Sequence, residues 1–376
     1  MTEIYLIRHT QAEGNLYKVM QGFWDGDVTA LGLREIRELA ERFRTVPVDA
    51  VYSSDLYRAK LTAQAVTKYS GKEVLTDVRF REINMGPLEG CFMGNVIHSD
   101  PENMRKFLTT PWEWSCEGAE TLEEVSARAV PAIRELAEKH DGQTIAVVSH
   151  GITVRCLLTK LLQLPEDGEG MAPIVGNTAV SKLRYENGTF TADYLNDMSH
   201  LGPLERSDWA HGDVLRHERF DPAEAPEVYL AACREGWSAA HGGSLTGFDP
   251  DFSLNSATAH YRKDPDAVLR LFFRDRPAGF VDLDTERGAH MGYGWVSLLY
   301  LEPEFRSKGL GIQALGRAIM RCRHMGRTAL RLNAAAANTA ALRFYEKYGF
   351  RVLNEEITSS GRVFLLEKSL DRIKEP

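Results

Sequence analysis

Ile4-Tyr5-Leu6-Ile7-Arg8-His9-Thr10 decides how the first half of the chain is read. Its four apolar residues run on without polar alternation, the pattern of a strand buried on both faces of a parallel sheet. Arg8 and His9 follow at once, at the carboxyl end of that strand, where open α/β sheets place their ligands. DAVYSS at 49–54 and TIAVVSH at 144–150 repeat the arrangement. Between these runs the period changes. Leu33, Ile36, Leu39, Ala40 and Phe43 recur at helical spacing, as do Val125, Ala129, Ile133, Leu136 and Ala137. Strands alternating with amphipathic helices imply a sheet covered by helices, an α/β fold.

Beyond residue 200 the pattern lapses. From about Leu204 to Pro226 the chain is rich in Asp, His, Pro, Glu and Ala, which predicts a linker over 206–225 between domains at 1–205 and 226–376. The second domain opens with a helix near Val228–Ala240. Strand-like runs follow at Val268–Phe273, Ala278–Leu283 and Trp295–Leu301. A helix over Ile312–Met325 is then expected, with Gly326 as its left-handed cap. A strand at Ala329–Leu332 precedes a helix opened by Asn338 and closed by Gly349. This half also reads as mixed α/β, and no internal repeat is visible.

Composition narrows the partners. With 376 residues the chain is long enough for two domains, at roughly 100–200 residues each. The net charge is −8. Residues 1–205 hold 21 basic and 30 acidic side chains, and the remainder is close to neutral. Neither half shows the basic surplus with which phosphate backbones are bound, so no nucleic-acid partner is expected. No apolar run approaches the roughly 18–20 residues of a membrane span. The N-terminus lacks the pattern of a secretory signal. Five scattered cysteines without metal spacing fit reduced thiols, so a cytoplasmic protein with no metal is expected.

Three strand ends can meet in one cleft. Arg8 and His9 follow the first strand, Arg58 stands in the first turn after the second, and His150-Gly151 ends the third. Two guanidiniums beside two imidazoles suit a phosphate dianion, because planar forks match its oxygens. A neutral imidazole can attack phosphorus, and Glu82, in the loop Phe80–Gly86, can protonate the leaving oxygen. Taken singly, each residue has an ordinary structural explanation. Their joint occurrence in this order points to phosphoryl transfer.

With LIRHT at 6–10, Asn15, Leu31-Gly32, SSDLYRAKLTA at 53–63, Glu82, Gly86, Leu88-Glu89-Gly90, VVSHG at 147–151, Asn177, Asn196-Asp197 and His200-Leu201, the first 202 residues resemble the histidine phosphatase family. That family includes the cofactor-dependent phosphoglycerate mutases. The resemblance implies a three-layer α/β/α phosphoglycerate mutase-like domain. It implies that His9 becomes phosphorylated, that Arg8, Arg58 and His150 clamp the phosphoryl group, and that Glu82 is the proton donor. Thr10, Asn15, Gln21, Gly22 and Gly151 would complete the substrate pocket. Leu88 departs from the family, where Trp or Phe is common. The short span from Glu82 to His150 looks like the phosphatase branch rather than the mutases. Met93–Trp114, with His98, Phe107, Trp112 and Trp114, is the expected cap over the cleft; these aromatics either select the leaving group or only pack the cap.

The second domain carries a loop of another kind. Arg306-Ser307-Lys308-Gly309-Leu310-Gly311-Ile312 lies between a strand and a helix, and its glycines let backbone amides approach an anion. A dinucleotide fingerprint fits poorly, since the position about 20 residues on is Arg331 and not an acidic ribose ligand. A P-loop is excluded, because no Gly-Lys-Ser/Thr follows. Arg306-x-x-Gly309-x-Gly311, with Asn338, Ala341, Tyr345 and Gly349-Phe350, resembles the GNAT N-acetyltransferase family over roughly 222–370. The resemblance implies a GNAT domain in which Leu299, Tyr300 and Leu301 and the segment from Arg306 to Ile312 hold acetyl-CoA. Asn338 would touch the cofactor arm, and Tyr345 would protonate the departing thiolate as an amine attacks. Asp282, Asp284 and Glu302 lie near candidate strands, where exposed turn carboxylates are expected, so no base is identified. The expected whole is a bifunctional enzyme acting on a small phosphomonoester and on an amine acceptor. An alternative keeps the phosphatase and makes the second domain an acyl-CoA-binding sensor; a phosphoglycerate mutase is a further reading.

Overall fold

The computed structural model describes residues 1–166, 171–203 and 213–373. They form two compact units, residues 1–166 and 171–203 with 373, and residues 213–372. In chain order the first unit contains β1 (Thr2–Arg8), α1 (Glu13–Tyr17), α2 (Ala30–Phe43), β2 (Ala50–Ser53), α3 (Tyr57–Thr67) and β3 (Val74–Thr76). Then come α4 (Met93–Ser99), α5 (Pro101–Thr109), α6 (Leu122–Lys139), β4 (Thr144–Ser149), α7 (Gly151–Leu161), β5 (Val180–Glu186) and β6 (Thr189–Asp197).

The sheet order is β3-β2-β4-β1-β5-β6. β1 pairs with β4 in parallel, β2 with β4 and β3 likewise, while β5 and β6 are antiparallel. The apolar run of β1 has a direct cause in this arrangement. Ile4 and Leu6 join one buried cluster with Ala129, Ile133 and Leu136 of α6 and Leu157 of α7. Tyr5 and Ile7 point the other way, against Ile36, Leu39 and Phe43 of α2 and Leu61 of α3. The sheet is therefore the middle of three layers, as expected. Its central strands β1 and β4 deliver Arg8-His9 and His150 side by side, since Arg8 is in register with Ser149.

The second unit contains β7 (Arg216–Arg219), α8 (Pro226–Ala240), α9 (Pro250–Lys263), β8 (Val268–Phe273), β9 (Arg276–Asp284) and β10 (Tyr293–Leu301). It continues with α10 (Gly311–His324), β11 (Ala329–Ala335), α11 (Thr339–Lys347), β12 (Arg351–Thr358) and β13 (Gly361–Ser369). Its sheet runs β12-β13-β11-β10-β9-β8-β7, with β10–β11 parallel and the other pairs antiparallel. Tyr229, Ala257, Val268, Phe280 and Tyr300 bind α8 and α9 to the sheet.

The linker expectation needs correction. Residues 206–212 lie outside the described residues, but Arg216–Arg219 is the edge strand β7, hydrogen-bonded to β8. A short edge strand with alternating charge leaves little hydrophobic signal. The hairpin β5–β6 and helix α9 were also unread. Asn187 and Gly188, both left-handed, turn that hairpin, as Asn-Gly does in two-residue loops.

Candidate active sites

The first site grows from the ends of β1 and β4. His9 is held through its backbone: its N–H donates to Ser149 O at 2.8 Å, and its carbonyl accepts from Asn177 Nδ2 at 3.0 Å. Its ring is held through Nδ1, which lies 2.6 Å from the Thr10 carbonyl. A carbonyl can only accept, so Nδ1 carries the proton and a neutral ring keeps its lone pair at Nε2. Burial, with Arg58 and Arg8 adding to it, holds the His9 pKa well below the usual histidine value, and His150 is lowered for the same reasons. The two ring centroids are 5.0 Å apart.

Around these rings stand buried nitrogens without a partner among the described residues: Arg8 Nε, Arg58 Nε and both nitrogens of His150. Buried polar groups are ordinarily satisfied, and such a cluster of orphans, flanked by two guanidiniums, is chemically able to receive an anion. Arg8 donates from another nitrogen to the Val175 carbonyl. Gly151 lies against it: a Cβ there would stand 3.4 Å from Arg8 Nε, an ordinary contact distance. Arg58, fully buried, is anchored by Gly22 O at 2.7 Å, Trp24 O at 3.2 Å and Asp25 Oδ1 at 3.3 Å. Burial lowers its pKa to about 10, so it remains a cation at neutral pH.

Glu82 stands at the start of α7. Its Oε1 accepts from Thr153 N at 3.1 Å and its Oε2 from Ile152 N at 3.2 Å. The loop that carries it is pinned by Arg128, whose guanidinium donates to the carbonyls of Arg79, Arg81 and Glu82, each at 2.8 Å. Arg8, His9, Asn15, Gln21, Glu82 and Gly151 line one cleft with an empty volume of about 730 Å³, open solvent included. Gln21 accepts from Gly14 N and Asn15 from Ala12 N, so both are fixed by the short helix α1.

Other expected pocket residues act at one remove. Thr10 is fully buried and does not line the cleft; its hydroxyl lies 2.7 Å from both Gly32 O and Glu35 Oε2. What Thr10 offers the site is its carbonyl, which fixes the His9 tautomer. Gly22 offers its carbonyl to Arg58, and that loop is organised by Glu89. The Glu89 carboxylate accepts from the amides of Gly22, Phe23, Trp24 and Met85 at 2.6–3.2 Å. Of the expected cap aromatics, Phe107 lines the cleft, whereas Trp114 is buried behind it with ring centroids 5.0 Å apart. Trp112 is turned away and donates to Glu166.

Arg128 and Arg155 were not anticipated. Each is one arginine among many on an amphipathic helix, and only tertiary contacts reveal where it points. Arg155, one turn into α7, lines the cleft and donates from Nε to Ala172 O at 3.0 Å.

The second unit builds its site on the splay of β10 from β11. The strands pair from Tyr293–Val296 to Ala329–Leu332 and no further, although both continue. Leu299, Tyr300 and Leu301 therefore have no partner strand on the side away from β9 among the described residues. Arg306 Nε closes the strand end by donating to Leu301 O at 2.8 Å. The loop then turns through Ser307 (φ 58°) and Gly309 (φ 73°), both left-handed. None of the amides from Ser307 to Ile312 donates to an acceptor among the described residues, and α10 has no side-chain cap. Such a run of free N–H groups leading into a helix N-terminus has the geometry of a nest and can receive an anion. It fits the pyrophosphate of a coenzyme A thioester.

Helix α11 comes close to this loop because Gly311 lacks a side chain: a Cβ there would stand 3.0 Å from Phe344 Cε2. The next residue, Tyr345, is buried between Phe344 and Phe350, and burial raises the pKa of its phenol. It stays protonated at neutral pH. Asn338 caps α11, accepting from Ala341 N at 3.1 Å. Asp282 corrects the expectation of exposed turn carboxylates: it is buried and accepts from Tyr229 Oη, with His260 Nδ1 also at 2.7 Å. Glu302 accepts from Tyr300 Oη at 2.8 Å, and Asp284 caps a turn at Glu286 and Arg287. Among the described residues no cluster could hold a metal ion, and no helix is long and apolar enough to cross a membrane.

Comparison with known proteins adds to this geometry. The family model of the histidine phosphatase superfamily (branch 1) matches residues 4–198, and that of the acetyltransferase (GNAT) family matches 227–350. A relative from Enterobacter sp., named "Probable phosphoglycerate mutase GpmB", is 29% identical over 206 residues, or 54% of this chain and 95% of its own. One of the same name from Salmonella typhi matches to the same extent. Among solved structures, YhfR of Bacillus stearothermophilus is 29% identical with a TM-score of 0.52, covering 54% of this chain and all of that one.

Proposed function

Because the chain belongs to the histidine phosphatase superfamily and also carries a GNAT acetyltransferase domain, we propose that it is a bifunctional enzyme. One half hydrolyses a small phosphomonoester through a phosphohistidine, and the other transfers acetyl from acetyl-CoA to an amine. The observation that carries the first reading is the set of nitrogens left without a partner among the described residues around a histidine whose Nε2 keeps its lone pair. Arg8, Arg58 and His150 receive the phosphoryl oxygens. His9 Nε2 attacks phosphorus, the ester P–O bond breaks, and Glu82 gives its proton to the leaving oxygen. Water then attacks the phosphohistidine with Glu82 taking its proton, the P–N bond breaks, and phosphate leaves. Charge developing on the transferring oxygens is met by groups already in place, the largest source of such catalysis.

In the second half, acetyl-CoA supplies an activated acetyl group when bound. The amides of Ser307 to Ile312 hold its pyrophosphate, and the free edge of β10 at Leu299–Leu301 and Asn338 orient the arm. Tyr345 keeps a proton at Oη for the leaving sulfur. Five free thiols fit a reducing, cytoplasmic setting.

A phosphometabolite panel scored for released phosphate, with acetyl-CoA and amines in half of the wells and free thiol measured, tests both halves. Phosphate release and amine-dependent thiol release are expected. Acetyl-CoA binding without thiol release from any amine would favour the acyl-CoA sensor. Isomerised phosphoglycerate in place of free phosphate would favour a mutase.

A further inference from the structure

Thr10 fixes the His9 ring through its carbonyl, and its side chain holds one proton too few for its own contacts. The hydroxyl has a single hydrogen and two oxygens at 2.7 Å, Gly32 O and Glu35 Oε2. A carbonyl oxygen can only accept, so the Thr10 hydrogen goes to Gly32 and the second short contact needs a hydrogen of its own. Of the two partners, only the Glu35 carboxyl can carry one. As the acid, Glu35 donates from Oε2 to Thr10 Oγ1, and the same oxygen still accepts from Gln11 N at 2.7 Å. As a carboxylate it would take the Thr10 hydrogen, leaving the hydroxyl oxygen to face Gly32 O at 2.7 Å with no hydrogen between them. The surroundings agree with the acid: Glu35 is 1% exposed, and burial pushes its carboxyl above the usual range.

We propose that Glu35 is kept as the neutral acid and is a positioning residue for His9, its proton tying Thr10 to α2 so that the Thr10 carbonyl stays aimed at His9 Nδ1. The proposal deepens the phosphatase reading of the same site and rests on it for the effect on rate. The tie completes a frame around residues 10 and 11. Thr10 N donates to Thr62 Oγ1 of α3 at 2.9 Å, and Thr29 Oγ1, at the start of α2, donates to Gln11 Oε1 at 2.6 Å. Without the Glu35 proton the Thr10 side chain is the part of that frame that lets go. The neutral form also serves the charge of the site. A carboxylate at this position would act through space on Arg8, offsetting positive potential that a phosphate dianion draws on.

The test uses the full-length protein at about pH 7, where exposed carboxyls are ionised. Infrared difference spectra of the parent against Glu35→Gln should show a protonated-carboxyl C=O band that only the parent has. In Thr10→Val that band should move, because its O–H has lost its acceptor. ¹⁵N NMR of histidine-labelled protein should place the His9 proton at Nδ1 in the parent and show a mixture of tautomers in both variants. With p-nitrophenyl phosphate each variant should lose roughly tenfold in kcat, the worth of one hydrogen bond, with KM within about threefold. Adding Glu35→Gln to Thr10→Val should cost nothing further, since both cut the same tie. If Glu35→Gln fails to fold, Thr10→Val still carries the band and the tautomer. No acid band lost in Glu35→Gln and none moved in Thr10→Val, or a His9 tautomer unchanged in both, overturns the proposal. A parent that releases phosphate from no ester removes the phosphatase reading, while the band and the tautomer still decide what Glu35 does to His9.

Discussion

Glu89 touches no substrate, yet the placement of Arg58 depends on it. Its Oε1 accepts from Phe23 N at 2.6 Å and Met85 N at 2.9 Å, and its Oε2 from Gly22 N at 3.2 Å and Trp24 N at 2.6 Å. The carbonyls of Gly22 and Trp24 in turn hold the Arg58 guanidinium. Glu89→Gln changes one oxygen into an NH₂ group. Whichever way the amide flips, two backbone N–H donors then face another donor. An unsatisfied donor costs about 1–3 kcal/mol. Glu89 is only part-buried, so the low end applies, roughly 2 kcal/mol for the pair. The loop relieves that cost by moving, and Arg58 moves with it. Misplacement of a catalytic group by about 1 Å is worth on the order of 100-fold in rate. Hydrolysis of p-nitrophenyl phosphate should therefore lose about 100-fold in kcat/KM in Glu89→Gln. Glu89→Ala, which admits water to all four amides, should be no worse. Circular dichroism and thermal melts show whether the fold survives. Retention of kcat/KM within about threefold in Glu89→Gln would refute the chain of dependence from Glu89 to Arg58.

Further outcomes follow from the same geometry. His9, His150 and His200 are all depressed by burial, His200 to about 4, so acidification protonates the unfolded chain first. Their stabilising contribution is present above about pH 6.5 and is lost, at up to about 1.4 kcal/mol per pH unit per histidine, as pH falls toward the folded-state values. Urea titrations at pH 7, 6 and 5 should show that slope and a shallower one in His150→Gln; equal slopes would contradict the burial argument. Orthovanadate should raise the Tm of the parent, since a ligand at 100 times its Kd adds about 2.7 kcal/mol, and the shift should vanish in Arg58→Ala. Gly309→Ala imposes a left-handed residue costing about 1–2 kcal/mol, and so should weaken acetyl-CoA binding by roughly tenfold in calorimetry. Tyr345→Phe should bind acetyl-CoA but release thiol at least 100-fold more slowly, as befits a lost general acid.

The parts of this molecule that could be read in advance are those whose side chains answer to a period or a spacing. β1, β2 and β4 announce themselves because each face of the sheet is covered, so Ile4, Tyr5, Leu6 and Ile7 must all be apolar. His9, His150 and Arg58 were legible because strand ends converge. β7 was hidden because an edge strand needs no continuous apolar face. The hairpin β5–β6 did carry a signal in Asn187-Gly188, but β6 is largely exposed and its polar residues masked it. The supporting residues Arg128 and Arg155 left no local trace, because a guanidinium at the end of a long side chain finds its partners tens of residues away. Asp282 looked like a turn carboxylate because its partners, Tyr229 and His260, lie on other elements.

The proposed covalent step at His9 is the point on which the proposed first reaction turns. Rapid quench of the full-length protein with a ³²P-labelled phosphomonoester, followed by peptide mapping, should trap an acid-labile, base-stable phosphate on His9. It should form faster than phosphate is released, and it should be missing in His9→Ala. Steady hydrolysis by His9→Ala at the parent's rate, with no phosphoenzyme in either protein, would contradict the phosphohistidine mechanism outright.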